Sequence, residues 1–307
     1  MKGIEMMTRR SFMTAAGSFC ALRAIGTGTD GAASPLVRFG LVTDLHYAAK
    51  GNLQDGATTR YYTQSANKLR TAVAVMNARK ADFMVELGDF KDLSGDRTGS
   101  LAKLDEIEAV FATFEGPRYH VLGNHDMDCL TKEMFFEHVL DGGVRPTCGY
   151  YSFVRGGVTF VVLDGCYTND GQDYAGEADG TTNYLWYQSN LPEAEMTWLR
   201  DTLASVKNGP VVVFCHQRID PDAPGQNTNN ANTALRNAAA VRAVLEKSRK
   251  VRAVFSGHDH TGGICNHNGI YYYTLEAMVT APTNSFAEVS VYPSGSVSVS
   301  HFRRTDA

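Results

Sequence analysis

From Val37 to Gly257, short apolar runs alternate with helix-like stretches, and most of the runs end on polar groups able to bind a metal. VRFGLVTD, DFMVELGD and RYHVLGN read as strands, with QSANKLRTAVAVMNARK and SLAKLDEIEAVFATF as the helices between them. Alternation of this kind predicts βαβ units and parallel strand pairing. YYSFVR and VTFVVLD add two strands, and a helix is expected from Pro192 to about Val206, where Pro-Glu-Ala-Glu suits a first turn. VVVFCH, a helix over TALRNAAAVRAVLEKS, and VRAVFSG repeat the theme. The tail segments YYYTL, AEVSVY and SVSVSHF are strand-like, with Pro293, Ser294 and Gly295 turning the last pair. Neither an internal repeat nor a linker separates two cores, so one domain is expected over residues 35–304.

The strand ends carry the chemistry. FSGHDHTGG, read alone, is an ordinary polar loop, but four other strand ends match it. Asp44 and His46 close the first strand; two apart on extended backbone, they are expected to face one side. GDFKD places Asp89 and Asp92 after the second strand, and GNHD places Asn124, His125 and Asp126 after the third. His216 ends VVVFCH, and His258, Asp259 and His260 follow VRAVFSG. Carboxyl ends of parallel strands form one rim, where ligands gather. Gly88, Gly123 and Gly257 would permit the tight turns needed there. Individually each group has a plainer reading, GNHD as a turn and His216 as a satisfied core histidine. Five in order, all at strand ends, predict a metal cluster instead. Carboxylate, amide oxygen and imidazole without thiolate suit Mn²⁺, Fe or Zn²⁺. Cys215, beside His216, should point to the opposite face of its strand.

The order DxH, GDxxD, GNHD, H and GHxH resembles the calcineurin-like metallophosphoesterases over nearly the whole chain after residue 35. The resemblance implies an α/β fold, a four-layer αββα sandwich of two mixed β-sheets flanked by helices, with two divalent metal ions at the sheet rim. By position, Asp44, His46 and His260 would bind one ion, Asn124, His216 and His258 the other, and Asp89 would bridge them. Two such ions would activate a shared water as hydroxide and clamp phosphoryl oxygens, giving in-line attack on phosphorus. His125, matching the histidine of the family's GNH motif, is the candidate general acid, with Asp92 orienting it.

RYYTQSANKL, YYSF with FVVLDG, and GHDHTGG followed by GIYYYTLEAMVTAP are similar to the manganese-dependent ADP-ribose/CDP-alcohol diphosphatases of that family. This would imply a small nucleotide-linked substrate cleaved at a phosphoanhydride; monoester or cyclic-nucleotide diester hydrolysis is the alternative within the family. His46 stands where that subgroup carries Gln, and Asp126 where it carries Glu. Arg60, Tyr61 and Tyr62 are candidates for phosphate binding and for stacking on a base or sugar, with Lys91, Arg218 and Asn227 weaker ones. The loops over residues 165–191 and 217–232 are long enough to be functional.

A net charge of −4 and a pI near 6.1 provide no basic face for a nucleic acid polymer, and no run of eighteen apolar residues could span a bilayer. Residues 1–33 hold Thr8, Arg9, Arg10, Ser11 and Phe12 before a short apolar run from Met13 to Leu22, which resembles a twin-arginine export signal and predicts a periplasmic or extracellular protein. A disordered cytosolic tail is the alternative. Cys20 follows Phe19, a poor context for a lipid anchor. Cys129, Cys148, Cys166, Cys215 and Cys265 lack CxxC spacing and read mostly as small buried hydrophobes, with one or two disulfides possible after export. GTGTDG fits GxGxxG only formally, since no strand precedes it and no helix follows. No GxSxG supports a serine hydrolase. A non-catalytic metal-binding scaffold is the remaining alternative, against which the complete ligand set and His125 both argue.

Overall fold

The computed structural model describes residues 33–140, 142, 148–174, 186–220 and 231–303. The segment read as an export signal, Asn227, and parts of both long loops lie outside the described residues. In chain order the elements begin with β1 (Val37–Val42), the hairpin β2 (Leu53–Asp55) and β3 (Thr58–Arg60), α1 (Ser65–Arg79) and β4 (Phe83–Glu86). Then come α2 (Arg97–Phe111), β5 (Arg118–His120), α3 (Lys132–His138), β6 (Tyr151–Arg155) and β7 (Val158–Val162). The remainder is α4 (Glu193–Ser205), β8 (Val211–Phe214), α5 (Ala238–Ser248), β9 (Val251–Ser256), β10 (Gly263–His267), β11 (Ile270–Thr274), β12 (Ser285–Val291) and β13 (Val297–Arg303).

Two mixed sheets form, ordered β13-β12-β1-β4-β5 and β10-β11-β9-β8-β7-β6. The parallel strands β1, β4 and β5 sit together in the first sheet, and β11, β9, β8 and β7 in the second. Alternation along each strand decides which layer a side chain joins. Phe39, Phe83, Phe160, Phe214 and Phe255 point inward and fill the space between the sheets. Phe39 stacks on Phe83 at 4.9 Å and meets Phe160 edge-on at 5.4 Å. From the outer faces, Val42 and Met84 meet Leu69, Val73 and Met76 of α1 and Leu104 and Ile107 of α2. On the other side Val161, Val213 and Val254 meet Leu199 and Leu203 of α4 and Val241 and Leu245 of α5. The result is the αββα sandwich expected above. Strands covered on both faces must be apolar throughout, which is why VVVF reads as a continuous run.

Some elements differ from the sequence reading. The last helix starts at Ala238, five residues later than TALRNAAAV suggested, because Arg218 holds the preceding segment. The Arg218 amide donates to the Thr233 carbonyl at 2.9 Å and the Leu235 amide to the Arg218 carbonyl at 2.9 Å, which removes those groups from a helical ladder. The hairpin β2–β3, α3 and strand β10 were not anticipated; each is short, with little apolar periodicity. Cys129, Cys148, Cys166, Cys215 and Cys265 are free thiols, so no disulfide links them. Cys215, one residue past the end of β8, packs with the α4 and α5 layer.

Candidate metal centre

The parallel strands of both sheets end on one rim, and the loops leaving them bring together the side chains read from the sequence. One group comprises Asp44, His46 and His260; a second comprises Asp89, His216 and His258, with the ligand atoms of each group within 4.8 Å of one another. In the first, His46 Nε2 and His260 Nε2 are 3.3 Å apart, and His260 Nε2 is 3.3 Å from Asp44 Oδ1. In the second, His216 Nε2 is 3.3 Å from Asp89 Oδ2, the oxygen that also lies 3.5 Å from His46 Nε2. Asp89 therefore stands between the groups. Asn124 is buried and lines the same cleft.

Asp44 and His46 converge for a reason other than the one expected. β1 ends at Val42, so neither lies on extended backbone. Both adopt left-handed conformations, with φ of 50° and 48°, as do Asp89 at 55° and His258 at 65°. Such backbone costs about 1–3 kcal/mol per residue and persists only where surrounding structure enforces it. Among the described residues the other non-glycine positions with positive φ are Lys80 and Arg249 at helix ends and Asn268 in the β10–β11 turn, so the strain concentrates in the ligand loops. Glycine is needed beside them. A Cβ on Gly88, itself at φ 102°, would lie 2.4 Å from His216 Nδ1, and one on Gly257 would lie 2.5 Å from Asp44 Oδ2. Asp126 fastens two loops together, accepting from the amides of Asp89 and Gly123 at 2.9 Å each, Phe90 at 3.0 Å and Lys91 at 3.2 Å.

The donors fit cations. His216 Nδ1 must donate to the Leu87 carbonyl at 2.8 Å, which turns Nε2 toward Asp89 with no hydrogen-bond partner for that buried atom. His258 Nε2 is likewise buried without a partner. Burial pushes the His46 imidazole down to about 4 and the His258 imidazole to about 3, holding both neutral as ligation requires. Burial opposes ionisation of Asp44 and Asp89, yet the histidines around them hold both carboxyls below the usual range. Imidazoles around ionised carboxylates form an oxygen and nitrogen donor set for a pair of divalent ions.

Beside the donors, His125 lines the cleft with Nδ1 3.4 Å from Asp92 Oδ1. Asp92 Oδ2 is 3.4 Å from His46 Nδ1, so this carboxylate serves both rings. The cleft, about 280 Å³, is also walled by Arg60, Trp186, Thr233 and Thr261. Of the other substrate candidates, Tyr61 and Tyr62 do not line it. Tyr62 is buried with its hydroxyl on Arg60 and Asp92, and the Tyr61 ring faces Lys68 Nζ at 5.0 Å. Lys91 is fully buried, and Arg218 is a buried partner of Asp259 Oδ2 at 3.2 Å. Neither reaches the cleft. Trp186, its ring 6.0 Å from that of His258, supplies the aromatic wall that the sequence had placed at Tyr61 and Tyr62. Its signal was present only as one of several aromatic residues in a long loop.

A family model described as calcineurin-like phosphoesterase matches residues 37–262. A manganese-dependent ADP-ribose/CDP-alcohol diphosphatase of Arabidopsis thaliana is 29% identical, covering 85% of this chain and 93% of the relative. A protein of the same name from Oryza sativa subsp. japonica is 26% identical over 84% of this chain and 89% of its own. Among solved structures, a dimetal phosphatase from Danio rerio has the same fold, with a TM-score of 0.74 at 23% identity, covering 89% of this chain and 98% of that one.

Proposed function

The chain belongs to the calcineurin-like phosphoesterase family and is a metal-dependent hydrolase, and from that premise we propose that it cleaves the phosphoanhydride of a nucleotide-linked substrate of the ADP-ribose or CDP-alcohol kind, with manganese as the working cation. The observation that carries this reading is that relatives named for that activity match 84–85% of the chain. The site supports it, since a carboxylate, Asp89, faces two histidine-rich donor groups at once.

Asp44, His46 and His260 would hold one ion and Asn124, His216 and His258 the other, with the Asp89 carboxylate lying between the two sets. Bound there, two divalent cations supply Lewis acidity toward the phosphoryl oxygens and lower the pKa of the attacking water. Arg60, on the cleft wall, neutralises a phosphate oxygen, and Tyr62 fixes the guanidinium through its hydroxyl. His125 protonates the leaving oxygen while Asp92 holds the ring at Nδ1. Dialysis against chelator, then Mn²⁺ addition, tests the enzyme on ADP-ribose, CDP-alcohols, cyclic nucleotides and simple monoesters. Activity should be lost and regained, with kcat/KM highest for the first two classes. A preference for monoesters or cyclic nucleotides would replace the substrate reading, and no recovered activity on any of them would favour a metal-binding scaffold.

Export of the folded chain by the twin-arginine route is part of the proposal, supported by Arg9, Arg10 and the apolar run behind them. Fractionation of hosts with and without that translocase tests it. Equal cytosolic retention in both would count against export.

A further inference from the structure

Asp92 is heavily shared. Its Oδ2 faces His46 Nδ1 at 3.4 Å, while its Oδ1 takes the Leu93 amide at 2.7 Å and Lys50 Nζ at 2.9 Å besides facing His125. One carboxylate has about four acceptor positions, so His125 has only part of this one. A second carboxylate faces the same ring nitrogen. Asp128 Oδ2 lies 3.9 Å from His125 Nδ1 and is buried with no other hydrogen-bond partner. The other oxygen of Asp128 is paired with Lys91 Nζ, and that ammonium also donates to the His125 carbonyl at 2.6 Å. Lys91 is wholly buried, and its own amide is fixed on Asp126. A buried ammonium is unfavourable unless fully paired, and this one is paired to the side chain and the backbone that flank a single imidazole.

We propose that Lys91 and Asp128 form a second arm that holds His125 by its Nδ1 edge, keeping Nε2 aimed at the leaving oxygen. The inference rests on His125 being the proton donor. In that step the attacking water gives one proton to solvent and forms the new P–O bond as the bond to the leaving oxygen breaks, and the Nε2 proton passes to that oxygen, leaving a neutral imidazole that solvent reprotonates. The pairing matters because Lys91 cancels the charge of Asp128. The arm therefore orients the ring without adding a negative field beside an anionic substrate. The 3.9 Å separation is long for a hydrogen bond, and contacts of this kind tighten once substrate fills the site. Asp128 does not line the cleft and acts through His125, so it is a positioning residue.

The test is the dependence of kcat/KM on leaving-group pKa across substituted aryl phosphodiesters, with the Mn²⁺-loaded protein and its Asp128→Asn, Lys91→Met and His125→Ala variants. Asp128→Asn should lose roughly 10- to 100-fold on a phenyl ester and much less on a p-nitrophenyl ester, steepening the slope toward that of His125→Ala while Mn²⁺ content is unchanged. Lys91→Met should steepen it too, but leaves a buried carboxylate uncompensated, so the near-isosteric Asp128→Asn carries the decision. A line parallel to wild type for Asp128→Asn beside a steep one for His125→Ala would overturn the arm and leave the proton donor standing. A parallel line for His125→Ala would remove the donor and the arm together.

Discussion

His216 Nε2 faces Asp89 Oδ2 at 3.3 Å while the other nitrogen of the ring is committed to the Leu87 carbonyl. Burial disfavours a charged ring, yet Asp89 raises the imidazole to about 9, and a cation bound between the two partners would take the place of that proton. Asp89, a member of the second donor group, also lies 3.5 Å from His46 of the first. Asp89→Asn should reduce Mn²⁺ content below two per chain and lower kcat at least roughly a hundredfold. Metal analysis after gel filtration, with kinetics on the same sample, checks both. Full metal content with near-normal turnover would show that Asp89 does not bridge.

Gly257→Ala should damage the site without unfolding the sandwich. The added methyl would lie 2.1 Å from Thr43 Oγ1 and 2.5 Å from Asp44 Oδ2, displacing a carboxylate that Thr43 holds at 2.6 Å. Mn²⁺ affinity is expected to fall roughly 10- to 100-fold, as for loss of an outer-shell partner. Titration calorimetry measures it, and unchanged affinity would mean that the loop yields freely.

Trp186, rather than Tyr61, should govern recognition of the nucleoside part. Trp186→Ala is expected to raise KM for ADP-ribose roughly tenfold, the scale of one lost base–aromatic stack, with little effect on a p-nitrophenyl diester. Tyr61→Ala should alter neither strongly, because its ring packs toward Lys68 outside the cleft. Equal losses on both substrates for Trp186→Ala would point to a structural role instead.

Away from the site, His301 should make stability depend on pH. It is buried between Ser285 Oγ, 2.8 Å from Nε2, and Tyr273 Oη, 3.3 Å from Nδ1. Burial, helped by Arg303, pushes its imidazole down to about 4. The unfolded chain takes a proton near pH 6.5 and the folded one resists it, so this contribution is complete above that pH and is lost as pH falls toward 4. The loss approaches about 3 kcal/mol. Denaturant unfolding of wild type and His301→Gln at pH 7 and 4.5 isolates the term, since other acid-sensitive groups cancel in the difference. A difference that does not change with pH would contradict it.

Much of the site was legible because its residue types are rare at strand ends and recur there in order. The identity of Asp44, Asp89, Asn124, His216, His258 and His260 as neighbours follows from parallel strands of both sheets ending on one rim. Their backbone was not legible. Left-handed φ at Asp44 and His46 is imposed by loop contacts across the sheet, such as the His46 amide on the Asp89 carbonyl at 2.8 Å, which no local pattern encodes. Charged residues misled for a similar reason. Lys91 and Arg218 looked like exposed phosphate binders, but Asp128 and Asp259 lie far enough away in sequence that their pairing emerges only in the folded chain. Trp186 reached the cleft through a loop whose path has no periodicity to read.

The central claim, two adjacent divalent ions held at one rim, is tested most directly by electron paramagnetic resonance of the protein titrated with Mn²⁺. Two equivalents should give the multiline spectrum of an exchange-coupled pair, lost in Asp89→Asn. Isolated six-line signals from two independent ions, or saturation at a single ion per chain, would contradict the account.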